Sequence, residues 1–160
     1  MSNVRLQVMR RQVVLFLLQL ALLSACSELG NGAGQISQKI GQVAHDPSAR
    51  ELDLSKLTSF GWEYFYFFKS GTAREQICQF ICANRNNCGR IIRYETVPEG
   101  YVALFFGLNG NLTHTELHAI ANGEFDFSVG EDGYPKEKAI FSIRRASTGT
   151  GQDRILLEPR

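Results

Sequence analysis

Apolar positions are unevenly spread along this 160-residue chain, and their spacing changes from segment to segment. The first long apolar run is Val13 to Leu23, broken once by Gln19. As a helix it would rise only about 16 Å, roughly half a bilayer core, so a transmembrane helix is the weaker reading. No later stretch approaches the length needed to span one. Residues 27–50 carry few large apolar side chains and are interrupted by Gly30, Gly32, Gly34 and Gly41, which reads as a flexible tether. Ile36, Ile40 and Val43 sit at helical spacing within it and allow a short frayed helix. Trp62 to Phe68 is dense in aromatics and predicts a strand. Trp62, Tyr64, Tyr66 and Phe68 share one face, with Glu63, Phe65 and Phe67 on the other. Both faces are largely apolar, so the strand should be central and covered on at least one side by a helix.

Thr72-Ala73-Arg74-Glu75 has the form of a capping box and predicts a helix from Ala73 to about Ala83. Its buried stripe would be Ile77 and Ile81, with Phe80 beside them. Arg90–Val97 and Tyr101–Leu108 are strand-like. Asn109-Gly110 predicts a type I′ turn, because both central residues of that turn need positive φ and Asn and Gly accept it. The turn would join Tyr101–Leu108 to Asn111–Ala119. Phe125–Val129 reads as a short strand or a loop. Ala139–Ala146 and Arg154–Glu158 alternate and should pair with each other. One main helix and about six strands in sequential hairpins make an α+β domain with an antiparallel sheet.

Arg5, Arg10 and Arg11 precede the first apolar run, and small residues end it, which is the order of a secretory leader. Leu23-Ser24-Ala25-Cys26 resembles the lipobox of bacterial lipoproteins. The resemblance implies a diacylglyceryl group on the Cys26 thiol, cleavage before Cys26 and acylation of the new N-terminus. Several acyl chains anchor firmly, because each buried methylene adds about 0.8 kcal/mol and a single chain holds only marginally. In lipoproteins of enteric-type bacteria a residue other than Asp after the cysteine directs export to the outer membrane, and here that residue is Ser27. The expected organisation is a signal peptide over 1–25, a lipidated cysteine and flexible tether over 26–50, and an α+β domain over 51–160. Twenty-four tether residues would reach about 25–30 Å.

Cleavage before Cys26 removes three arginines and no acid. The remaining 135 residues hold 14 Lys and Arg against 16 Asp and Glu, a net charge of −2. No basic cluster is left to track a phosphate backbone, which argues against nucleic acid as a partner. The length fits one domain.

Cys78, Cys82 and Cys88 remain once Cys26 is lipidated. An oxidising envelope favours a disulfide among them. Cys78 with Cys82 is disfavoured, because side chains on successive helical turns suit disulfide geometry poorly. Cys78–Cys88 and Cys82–Cys88 both remain open, and either would staple the helix to its exit loop. Trp62-Glu63, Phe65-Tyr66-Phe67-Phe68, Ile77-Cys78, Cys88 and the Phe105-Phe106…Asn109-Gly110 hairpin together resemble a group of small uncharacterised bacterial lipoproteins over roughly residues 52–120. That resemblance implies a shared fold, carries no activity, and favours Cys78–Cys88.

His114, Glu116 and His118 recur at spacing two on the strand after Asn109-Gly110 and should project from one face. Two imidazoles and a carboxylate there could ligate zinc or a similar ion. The plainer expectation is a solvated polar face. With a two-residue turn, Phe105 would face His114 and Tyr101 would face His118. Catalytic signatures are missing: there is no Gly-x-Ser-x-Gly elbow, no cysteine-protease signature and no phosphate-cradling loop before a helix. Glu131-Asp132-Gly133 lacks the calcium-loop pattern and reads as a solvated turn. Trp62, Tyr64, Tyr66 and Tyr101 either fill the core or anchor a partner.

The sequence therefore predicts a non-enzymatic, cofactor-free, lipid-anchored envelope protein, facing the periplasm from the outer membrane, that binds an envelope partner or has a structural role. The alternatives are a small metal- or ligand-binding lipoprotein using His114, Glu116 and His118, and a periplasmic inhibitor or immunity protein.

Overall fold

The computed structural model describes residues 32–81, 88–147 and 153–160. Cys26, Cys82 and the leader lie outside these residues. The α+β class is as expected, but the strands form two sheets rather than one. In chain order the elements are α1 (Gln35–Ala44), β1 (Glu51–Asp53), α2 (Leu54–Leu57), β2 (Tyr64–Phe68), α3 (Arg74–Ile81) and α4 (Cys88–Ile91). There follow β3 (Tyr101–Leu108), β4 (Asn111–Ala119), β5 (Glu124–Phe125), β6 (Tyr134–Pro135), β7 (Ile140–Ser147) and β8 (Asp153–Pro159). One sheet has the order β4-β3-β2-β6 and the other β1-β7-β8-β5. Pairing is antiparallel except between β5 and β8, which run parallel.

The aromatic strand β2 lies between β3 and β6 and is covered on both faces. Phe65 and Phe67 point into the core between the two sheets, with Leu104 and Phe106 from β3 and Phe125, Phe141 and Leu157 from the other sheet. Phe65 is fully buried and meets Trp62, Phe106, Phe125 and Phe141 at ring-centroid distances of 5.7–6.2 Å. Tyr66 and Phe68 point the other way, into a second cluster with Ala103, Phe105, Leu117 and Ile77 of α3. A strand apolar on both sides thus forms the centre of a layered domain, and its two faces serve two separate cores.

The Asn109-Gly110 turn forms as its residue types dictate, with φ of 51° and 71°. The β7–β8 hairpin also forms, from Phe141 opposite Pro159 to Ser147 opposite Asp153. Three expectations fail. Arg90–Val97 is not a strand: Cys88–Ile91 is a helical turn, and one bridge, Thr96 to Ala73, is the only pairing described there. The Cys78–Cys88 disulfide (Cα–Cα 5.7 Å) holds this segment at α3, and Ile92 and Val97 sink into the second cluster five residues apart, out of strand period. The capping box does not form either. The Thr72 hydroxyl donates to the Lys69 carbonyl, and the Ala73 amide donates to the Gln76 side chain.

The third correction concerns the tether. The expected domain start near Glu51 moves to Ala33, because 33–160 forms one compact unit. Ile36, Ile40 and Ala44 of α1 are buried, and Ile36 and Ile40 join the core between the sheets. Gly41, read as an interruption, sits where the Asn122 side chain crosses the helix, so a Cβ there would collide with it. Residues 26–31 of the expected tether lie outside the described residues. Among the described residues no helix is long and apolar enough to cross a membrane.

Candidate functional site

The β3–β4 ladder starts in the expected register, Leu108 opposite Asn111 and Gly107 opposite Leu112, and then slips by one residue. Thr113 is the extra residue of a β-bulge, and its hydroxyl donates to the Phe106 carbonyl at 3.3 Å. The slip sets His114 opposite Phe106, Glu116 opposite Leu104 and His118 opposite Val102. A one-residue shift exchanges strand faces. His114, Glu116 and His118 do share a face, as their spacing predicts, but it is the face toward the inter-sheet core and α1. The expected pairs Phe105–His114 and Tyr101–His118 do not form.

Glu116 serves α1. The helix has no capping side chain of its own, because its N-cap is Gly34. The Glu116 carboxylate accepts from the Ser37 amide at 2.7 Å and the Ile36 amide at 3.2 Å, which is the task an N-cap side chain usually performs locally. Its negative charge also complements the positive end of the helix, which has no acid in its own first turn. At the other end, Arg145 of β7 donates to the carbonyls of Ala44 at 2.9 Å, Asp46 at 2.5 Å and Ala49 at 3.2 Å. Both ends of α1 are therefore capped by opposite charges from strands of different sheets.

His118 is fully buried, against Ser37 of α1 and the ring of Phe125 at 5.3 Å. Its Nε2 lies 2.5 Å from the Gly123 carbonyl and its Nδ1 lies 3.0 Å from Ser37 Oγ. The network assigns the tautomer. Gly123 O can only accept, so Nε2 carries the proton. Ser37 Oγ already accepts from the Ala119 amide and the Asn122 side-chain amide, both at 3.0 Å, so its own proton goes to Nδ1. Burial holds the pKa of His118 below the ordinary imidazole value, opposed by the Gly123 carbonyl and the Glu116 charge. His114 is the outermost of the three. Its Nε2 lies 3.1 Å from Glu116 Oε2, and Phe60 stacks on its ring at 4.6 Å.

This arrangement overturns both expectations for the three residues. They are not a solvated face, because His118 is inaccessible and the Glu116 side chain is 7% exposed. As metal ligands they are committed elsewhere: both His118 nitrogens and both Glu116 oxygens have protein partners. Among the described residues no group of three or more His, Cys, Asp or Glu could hold a metal ion. Ser37 and His118 form a hydroxyl–imidazole pair, yet both are sealed from solvent and a backbone carbonyl occupies the position an orienting carboxylate would take. A substrate has no route to that oxygen.

Among the other candidates, Cys78 and Cys88 are joined as the second resemblance implies. Trp62 belongs to the core at 2% exposure, and its indole nitrogen donates to Thr58 Oγ1 at 2.8 Å. Tyr66 and Tyr101 pack half-buried against the second cluster. Glu131 and Asp132 are exposed in a turn whose Glu131 carbonyl accepts from the Tyr66 hydroxyl. An open cleft of about 410 Å³ is lined by Asp53, Ser55, Trp62, Glu63, Lys136 and Glu137, of which the sequence motifs include only Trp62-Glu63. Lys136 Nζ sits 5.4 Å from the Trp62 ring centroid at its wall. Sequence reasoning missed Ser37, Asn122 and Arg145, and its one pointer to them was the Ile36/Ile40/Val43 spacing. No family model, curated protein or solved structure matches the chain.

Proposed function

We propose that this chain is a lipid-anchored cell-envelope protein whose α+β domain has a non-enzymatic binding, structural or accessory role. The observation that carries the reading is Leu23-Ser24-Ala25-Cys26 at the end of a basic-then-apolar leader. The Cys78–Cys88 disulfide supports it, because such bonds persist in oxidising compartments. The non-enzymatic part is supported by where the polar side chains go. The hydroxyl–imidazole pair with the geometry of a nucleophile is locked inside, and the carboxylate beside it caps a helix. With the domain beginning at Ala33, seven Cα steps connect it to Cys26, at most about 25 Å of chain. An outer-membrane position facing the periplasm follows from Ser27 on the enteric rule.

The test is fractionation. Cys26→Ala should shift the protein from the membrane pellet to the soluble fraction, and globomycin should make the uncleaved precursor accumulate. A variant that still pellets, with no precursor under globomycin, would sink the anchor. Crosslinking followed by capture should recover an envelope protein above a leader-only control.

A further inference from the structure

All three histidines of the chain act where α1 meets β4 and the turn that follows it. His118 binds Ser37, His114 backs the Glu116 carboxylate that caps the helix, and His45 Nε2 lies 3.0 Å from the Ala121 carbonyl. We propose that the Ser37–His118–Asn122 cluster is an acid-sensitive latch, in which a proton added at His118 Nδ1 loosens α1 from β4. The reason is a count of donors and acceptors. In the neutral state Ser37 Oγ accepts two N–H groups and donates its one proton to Nδ1. A proton on Nδ1 turns that acceptor into a donor aimed at an oxygen with no lone pair left. The Ser37 proton is stranded, and either the Ala119 or the Asn122 contact must open. Asn122 also donates to the Ser37 carbonyl, so the disturbance reaches the helix backbone.

The charged groups facing His118 do not replace what is lost. Glu116 is the one acid acting on it, and both carboxylate oxygens are occupied by the α1 amides and His114. Phe125 covers the ring and offers no acceptor. His114 and His45 keep their contacts in either charge state, since an Nε2–H donates to a carboxylate or carbonyl with or without the second proton. His118 is thus the element of the latch that changes sign. Its pKa is lower folded than unfolded, so the unfolded chain binds more protons just below pH 6.5. Stability of the docked helix is full above that pH and falls as the pH drops.

The consequence for the tether rests on the lipid-anchor reading. With α1 docked, residues 27–32 link Cys26 to the domain; with α1 released, the link extends through residue 50, and its average reach grows to about 25–30 Å. Acid would then let the domain move away from the bilayer.

Hydrogen exchange of the full chain in detergent micelles tests the latch. After correction for the chemical rate, peptides covering 35–44 should exchange at least tenfold faster at pH 5 than at pH 7.5, while β7 and β8 stay unchanged. His118→Gln should reduce the difference below twofold, because Gln can accept from Ser37 and donate to Gly123 without titrating. His45→Asn should leave it intact. A pH-independent α1 in the wild type overturns the proposal, as does a steep response that survives in His118→Gln or vanishes in His45→Asn. If His118→Gln does not fold, ring-carbon resonances of the wild type decide: His118 should titrate below pH 6.5 in step with the α1 amides, and titration with α1 still protected overturns the latch. These readings do not depend on lipid at Cys26, so their failure is separable from failure of the anchor.

Discussion

Two short helices in this domain are held in place by opposite means. α1 buries Ile36, Ile40 and Ala44, and receives a negative cap from Glu116 of one sheet and a positive one from Arg145 of the other. α3 buries only Ile77 completely and is tied to its neighbour by the Cys78–Cys88 disulfide. Isolated helices of eight to ten residues are marginal in water, so each needs tertiary help. Where apolar area and charge can be recruited from both sheets, noncovalent contacts suffice. Where the helix covers the outer face of one sheet and leaves Phe80 41% exposed, a covalent staple supplies the difference.

The comparison can be broken from either side. Ile40→Ala truncates a fully buried apolar side chain of α1 and should cost about 2–4 kcal/mol, read as a lower urea midpoint. Replacing Cys78 and Cys88 together by Ala should cost about 2–3 kcal/mol, the entropy of closing an eleven-residue loop. A reductant should mimic that loss in the wild type and leave the double variant unchanged. Glu116→Ala leaves the Ile36 and Ser37 amides without their acceptor and should cost about 1–2 kcal/mol, with exchange rising first in α1. Phe80→Ser sharpens the contrast, because this ring on α3 is 41% exposed and meets only Tyr66 and Phe68 edge-on among the described rings, so its loss should cost less than Ile40→Ala, about 1–2 kcal/mol. If Phe80→Ser costs more than Ile40→Ala, the account of the two helices is inverted.

Which readings survived from sequence to structure follows the range of the physics. Alternation and turn chemistry act over a few residues, and they placed β2 at the centre of its sheet, set both turn residues of the β3–β4 hairpin at positive φ and paired β7 with β8. Helical spacing at Ile36, Ile40 and Val43 was present as well, but the glycines at 30, 32, 34 and 41 and the scarcity of large apolar side chains argued for a flexible tether. Those defects are compensated 79 to 101 residues away, by Glu116 and Arg145, and no local pattern records such a partner.

The chain alone dictated an α+β domain, its main hairpins, and three polar side chains sharing one face of β4. Which face that would be was decided by the single extra residue at Thr113, and the split into two sheets by where the aromatic core closes. Side-chain spacing is a property of the backbone within a strand. Register, and hence the surroundings of Glu116 and His118, depends on how strands and α1 pack together, and that energy exists only in the assembled fold.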